Sequence, residues 1–272
     1  MILIVASQVD TASMNIREQL LTNYGFEQTA QKFHGSPLFR MEINGREVRL
    51  VTLREEPIYC SEVTDRFNPQ LVIYISRHSS KSGTPTLSVH APGNLGLAKM
   101  GGLPRKVSVA PAYAMKKALV ELVDQQSRFG LDYKVSYECT HHGPSLDVGT
   151  MFVELGSSPA QWSDSKAAEA VAHAAMAPVT RSLKHSVVAV GVGGPHYSEK
   201  FTRMSLEEDY AFGHIIPKYA VSQIDPYVLR QCIERSVEEV EMVVLDWKGI
   251  SGGDKEGLAK VLSDVGAITK RV

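Results

Sequence analysis

Five of the nine histidines in this 272-residue sequence stand just after short apolar runs of the kind that form strands. Leu71-Val72-Ile73-Tyr74-Ile75 leads into Ser76-Arg77-His78-Ser79-Ser80-Lys81, and Thr86-Leu87-Ser88-Val89 into His90 and then Asn94. The run at 133–137 leads into Glu138-Cys139-Thr140-His141-His142, and Met151-Phe152-Val153 into Glu154. The run at 186–190 ends in Gly191-Val192-Gly193-Gly194-Pro195-His196. His214, in Phe212-Gly213-His214, is a sixth of this kind, and Asp246-Trp247-Lys248 closes one further strand. Ligands of open α/β sheets sit beyond the carboxyl ends of the strands, so these segments are expected to converge.

Imidazole and carboxylate are the usual non-thiolate ligands of zinc, and a catalytic site keeps one position open for a water that the ion acidifies. His90, His141, His142 and His196 are the expected metal ligands. Glu138, His141 and His142 form the densest cluster; in a persisting strand Glu138 and His142 would share one face and His141 the other. One such histidine alone reads as a backbone-bonded strand end. Five converging after separate strands read as a site.

Other motifs exclude chemistry. Gly191-x-Gly193-Gly194 is not G-x-G-x-x-G, so no dinucleotide cofactor is expected. Neither a G-x-S-x-G elbow nor H-E-x-x-H occurs. Cys60, Cys139 and Cys232 lie far apart with no C-x-x-C, which argues against a disulfide framework. Cys139 stands out only through its neighbours.

These residues need strands and helices to hold them. Hydrophobic residues make up 43% and charged residues 22%, an ordinary globular composition. Strands are expected at 2–6, on both sides of the turn pair Asn44-Gly45 within 38–53, and at 71–75, 86–90, 133–139, 151–155, 186–192 and 241–246. Helices are expected at 13–23, at 111–129 before Gly130, from Ser163 or Asp164 to Pro178, from Asp225-Pro226 to about 240, and near 254–264. The alternation predicts an α/β fold: one domain over 1–272, its mixed or mostly parallel sheet covered by helices on both faces. The Gly- and Pro-rich 90–108 segment is long for a loop and is expected to be functional. The apolar start is too short for a signal peptide, and no run is long enough to span a membrane, so a cytoplasmic protein is expected.

Charge is distributed unevenly. Residues 66–120 contain no Asp or Glu, where the chain average would place about six, but eight cations: Arg66, Arg77, Lys81, Lys99, Arg105, Lys106, Lys116 and Lys117. Such a run predicts a surface that meets phosphate, unless acids from elsewhere in the fold neutralise it.

The same segments resemble the archaeal-type D-aminoacyl-tRNA deacylases of archaea and plants. The matching stretches are Asp10-Thr11-Ala12-Ser13 with Asn15-Ile16, Ser76-Arg77-His78-Ser79-Ser80-Lys81 and His90-x-x-Gly93-Asn94. They continue with Thr140-His141-His142-Gly143-Pro144, Glu154-x-Gly156-Ser157-Ser158, Gly191-Val192-Gly193-Gly194-x-His196-Tyr197, Phe212-Gly213-His214 and Asp246-Trp247-Lys248-Gly249. The resemblance spans nearly the whole chain. It implies a phosphorylase- or exopeptidase-like hydrolase fold, zinc with two ions per subunit, and hydrolysis of the ester joining a D-amino acid to the 3′-terminal ribose of tRNA. Combined with the residue pattern, it implies that Glu138 or Glu154 takes a proton from the attacking water. His78, or the amides of Gly193 and Gly194, would stabilise the oxyanion. Arg77, Ser79, Lys81, Asn94, Gly193, Gly194, His214 and Lys248 would contact substrate, with tRNA as partner and a monomeric enzyme. A zinc exopeptidase or amidohydrolase on a small molecule, a nucleoside phosphorylase and a non-catalytic RNA-binding protein are the alternatives. Metal content and tRNA affinity separate them.

Overall fold

The computed structural model describes residues 1–272. The chain begins β1 (Ile2–Ser7), α1 (Thr11–Asn23), β2 (Glu27–Phe33), β3 (Ser36–Ile43), β4 (Arg46–Leu53), α2 (Val63–Phe67), β5 (Leu71–Arg77) and β6 (Thr86–His90). It continues α3 (Ala112–Phe129), β7 (Lys134–Tyr137), β8 (Gly149–Gly156), α4 (Pro159–Trp162), α5 (Ser165–Thr180), β9 (Val187–Val192) and α6 (Glu199–Glu207). It ends β10 (Tyr210–Ile216), α7 (Pro226–Glu234), β11 (Met242–Leu245), α8 (Lys255–Val265) and β12 (Thr269–Arg271). No helix is long and apolar enough to cross a membrane.

Two sheets carry the fold. The larger has eight strands in the order β2-β3-β4-β1-β5-β8-β6-β7, and the smaller four, all parallel, in the order β10-β9-β11-β12. In the larger sheet β4, β1, β5 and β8 are parallel, whereas β6 runs antiparallel to β8 and is parallel to β7. The expected mixed, mostly parallel sheet with helices on both faces is what the chain forms. The strand ends, however, do not share one carboxyl edge. β6 points the other way, so His90 lies beside Phe152, inside β8, rather than beyond it.

Period-two alternation explains which residues face the site. On one face of the larger sheet Ile73, Ile75, Met151, Val153 and Leu155 pack under α1, α3 and α5 in a core that also takes in Phe212 and Val244 of the smaller sheet. On the other face Val72, Tyr74 and Phe152 pack with Val63 of α2. Continuing along that second face, the next residues are Ser76 and Glu154, which lie opposite each other in register. Apolar burial on both sides, about 1.5–3 kcal/mol for each fully buried Val, Ile or Phe side chain, therefore fixes the strands that present the polar residues.

Local signals account for several helix ends. Asp10 caps α1, its carboxylate accepting the Ser13 N–H at 3.0 Å, and Asp164 and Asp225 cap α5 and α7 likewise. Gly130 ends α3 in the left-handed conformation, φ 63°. Pro178 stays inside the last turn of α5, which runs on to Thr180. The helix expected to reach about residue 240 ends at Glu234 instead, and Ser236 bridges to Ala110.

Candidate active site

Beyond β7 the chain does not continue as a strand. Residues 138–144 turn back, with isolated bridges from Glu138 to Tyr197 and from His141 to Pro92, and His142 adopts φ 40°. The alternation expected for Glu138, His141 and His142 is therefore broken, and both histidines face His90. Their ring centroids lie 4.3 and 4.9 Å from that of His90, which stacks in turn on Phe152. This turn needs glycine: a Cβ on Gly143 would stand 2.2 Å from Gly102 N and 2.6 Å from Ile58 O. Gly156 likewise lets β8 pass His78, whose Cβ would lie 2.7 Å from a methyl there.

Three groups of ligand-type atoms result, each within 4.8 Å: His90 with His141 and His142; Cys139 with His141 and His196; His78 with Glu138 and Glu154. His141 Nδ1–H donates to Cys139 O at 2.8 Å and His142 Nδ1–H to Gly143 O at 2.6 Å. Each bond leaves the Nε2 lone pair free, the arrangement that orients metal-binding histidines. Burial and the neighbouring imidazoles hold His141 well below the usual histidine range, and burial with His90 lowers His142 to about 4. Both rings are neutral at pH 7. His90 is fully buried with neither ring nitrogen hydrogen-bonded, its Nε2 standing 3.7 Å from Glu154 Oε1. Two unmet nitrogens in such a place call for a partner, so the donor set fits a zinc ion bound through His90, His141 and His142.

The carboxylates form the other half. Glu138 Oε2 accepts from His196 Nε2 at 2.8 Å, and Glu138 Oε1 and Glu154 Oε2 lie 3.1 and 3.4 Å from His78 Nδ1. Ser76 Oγ donates to Glu154 Oε1 at 2.7 Å. Burial alone would raise both acids, but His78 with His196 holds Glu138, and His78 with His90 holds Glu154, below the carboxylate range. Conversely, burial disfavours the imidazolium forms of His78 and His196. The carboxylates outweigh that cost and, for His196, so does Cys139, lifting His78 to about 11 and His196 to about 10. The cluster thus balances two carboxylates with two imidazoliums.

A cleft of about 510 Å³ opens over this cluster, lined by Asp10, Glu56, Arg77, Ser79, His141, His142, Glu154 and His196 with Tyr59 at its rim. Arg77 is held by its backbone N–H on Asp10 (2.8 Å) and its guanidinium on Glu56 (2.6 Å), and lies over the Trp162 ring. Burial raises the Asp10 carboxyl to about 6 against the two backbone N–H groups it accepts.

Several expected residues lie elsewhere. The Gly193 N–H is already donated to Ile216 O, and both glycines pack on Asp246, so they offer no oxyanion site in the cleft. His78 is equally occupied: Nδ1 meets the carboxylates and Nε2 the Tyr197 hydroxyl at 2.5 Å. His214 is fully buried, between Thr140 and the carbonyls of Ser108 and Arg235, and cannot touch substrate. Asn94 spends its amide on Gly101 O and Leu103 O. Lys81 and Lys248 are exposed away from the cleft lining. The acid-free run is largely neutralised in space: Arg77 pairs with Glu56, Arg105 with Asp225 and Lys106 with Asp147. Lys116 and Lys117 turn inward, to Ser186 and the carbonyls of Glu208 and Pro178. Sequence reading missed Asp10, Glu56 and Ser76 in the cleft. The Asp10-x-x-Ser13 cap marks a helix start, but only the β1–β5 pairing brings it to Arg77.

A cleft floored by a histidine–carboxylate cluster carries the acid–base groups that hydrolytic chemistry uses. The chain is a member of the D-aminoacyl-tRNA deacylase family, whose model matches residues 65–269. It is 38% identical over 268 residues to the D-aminoacyl-tRNA deacylase of Pyrococcus furiosus, covering 96% of each chain. It is also 38% identical to that of Thermococcus kodakarensis, covering 97% of each. A crystallised conserved protein of unknown function superimposes with a TM-score of 0.87 at 29% identity, covering 100% of this chain and 95% of the other.

Proposed function

We propose that this chain hydrolyses the ester between a D-amino acid and the 3′-terminal ribose of tRNA, removing D-residues before translation uses them. One observation carries the reading: full-length kinship with proteins named for this reaction coincides with a cleft whose floor gathers Glu154, His141, His142 and His196.

Of the two clustered glutamates, Glu154 reaches the cleft, while Glu138 lies wholly beneath it. Glu154 takes a proton from the attacking water and returns it to the ribose oxygen as the tetrahedral intermediate collapses. Ser76 holds Oε1 of this base, and His78, pinned between Glu138, Glu154 and Tyr197, keeps it ionised and oriented. Glu138 positions His78 and His196 from below. His90, His141 and His142 would hold zinc, which when bound supplies an acidified water and polarises the ester carbonyl. Arg77 and Ser79, on the cleft wall, are the residues placed to meet the aminoacyl part.

The test is hydrolysis of matched D- and L-tyrosyl-tRNA by the purified protein. Release from the D-substrate alone is the expected result. Release from neither would leave the small-molecule hydrolase as the better reading.

A further inference from the structure

Two clefts meet at the histidines, and only one of them carries carboxylates. The first carries the carboxylates of Asp10, Glu56 and Glu154 together with the cationic side chains Arg77, His78 and His196. The second, of about 360 Å³, opens on the other side of His141 and His142; Leu97, Lys99, Met100, Tyr219 and Gln223 line it, and its wall contains no Asp or Glu. Met100, His141 and His142 belong to both. Each volume lies within the roughly 300–1,000 Å³ of small-ligand sites.

The second cleft is both open and fixed. Leu97 is 77% exposed, Tyr219 57% and Met100 55%, a cluster of large apolar side chains that a free surface does not otherwise require. The Tyr219 ring is anchored through its hydroxyl, 3.2 Å from His196 Nδ1 and 3.3 Å from Cys139 Sγ. The loop carrying Leu97–Met100 is tied down by Gly143 N–H on Met100 O and by the Asn94 amide. Lys99 is exposed and in no ion pair, whereas nearby Arg105 and Lys106 are paired with Asp225 and Asp147.

An aminoacyl ester has two unlike sides: a cationic α-ammonium on one and a nucleotide with phosphate and base on the other. With its carbonyl at the histidines, the two sides must leave by different clefts. Resting on the deacylase reading, we infer that the acid-free cleft is the nucleotide subsite: the 3′-terminal base stacks on Tyr219 beside Leu97 and Met100, and Lys99 meets a backbone phosphate. Phosphate in the other cleft would meet Arg77 only beside Glu56, which already pairs with it, and beside Asp10, whereas the acid-free cleft offers Lys99 with no competing carboxylate. Stacking on a fixed aromatic ring is sequence-tolerant and typically contributes tenfold or more per base, about the range seen on alanine substitution.

The experiment measures binding of the full chain, by fluorescence anisotropy, to an uncharged RNA minihelix ending in CCA and to the same minihelix without its terminal adenosine. Wild type is expected to bind the complete end about tenfold tighter. Leu97→Asp should erase that preference, and Lys99→Glu should weaken both RNAs about equally. Both positions are exposed, so both variants should match wild type in thermal unfolding. Wild-type indifference to the terminal adenosine, or a preference that survives Leu97→Asp, overturns the subsite. D-tyrosyl-tRNA hydrolysis measured alongside separates the two readings: a hydrolysing enzyme without the preference loses only this cleft assignment.

Discussion

The hydroxyl of Thr140 lies 3.0 Å from Nδ1 of His214 and at the same time accepts the Ile215 N–H at 3.1 Å. Only one protonation pattern satisfies all partners: Thr140 donates to Nδ1, and Nε2–H donates to Ser108 O at 3.0 Å. A neutral, fully buried histidine thus fixes the residue immediately before His141 and His142. It supports the site without touching substrate.

Thr140→Val should therefore cost about 1–3 kcal/mol, since a buried imidazole nitrogen and a backbone N–H lose their partner. It should also weaken zinc binding, because the 141–142 turn loses its anchor. Urea unfolding and competitive zinc titration check both; an unchanged midpoint and unchanged affinity would contradict the anchoring role.

Burial lowers His214 to about 4, below the ordinary value of 6.5. The folded state therefore resists a proton that the unfolded chain accepts. The resulting stability is present above pH 6.5 and is lost as pH falls toward 4, on the order of 3 kcal/mol in all. His214→Gln should flatten this part of the stability–pH curve relative to wild type. Identical slopes between pH 6.5 and 4 would contradict it.

His90 gives the metal prediction. Chelation should lower the thermal midpoint, and zinc should restore it, because an ion bound only by the folded state adds stability by mass action. His142→Ala, at a half-buried position, should stay folded but no longer regain the midpoint with zinc. A midpoint insensitive to chelator and zinc would remove the ion from these histidines.

Salt dependence distinguishes the cations that pair in space from those that do not. Lys81→Ala and Lys99→Ala should each reduce the slope of log affinity for tRNA against log salt by about 0.7–0.9. Arg105→Ala should change it little, since Asp225 already neutralises that residue, and Lys106→Ala should change it less than the Lys81 and Lys99 variants, since Lys106 shares Asp147 with Arg235. Equal effects at all four positions would contradict the pairing.

The sequence made the central strands legible because β5 and β8 are buried on both faces, so that 71–75 and 151–153 read as unbroken apolar runs. It hid β2, whose Glu27–Phe33 stretch is almost wholly exposed and shows no apolar face. It also hid β10, where Gly213-His214 interrupts the apolar run that contains them. Strand direction is not encoded in local alternation, so the reversal of β6 could not be read, nor could its consequence for His90. Grouping the histidines after strands did find the cluster residues. Their assignment to faces failed at His142, where the left-handed backbone replaces the strand that alternation assumes. The charge run misled for a related reason: Glu56, Asp147 and Asp225 are distant in sequence and adjacent in space.

The most direct test of the account is the rate of D-tyrosyl-tRNA hydrolysis by Glu154→Gln beside wild type, both shown to be folded. Gln keeps the size of the side chain and its bond to Ser76 but cannot accept the proton. A loss of about 100-fold or more is expected, the usual contribution of a positioned general base. A wild-type rate in this variant would contradict it and move the chemistry away from Glu154.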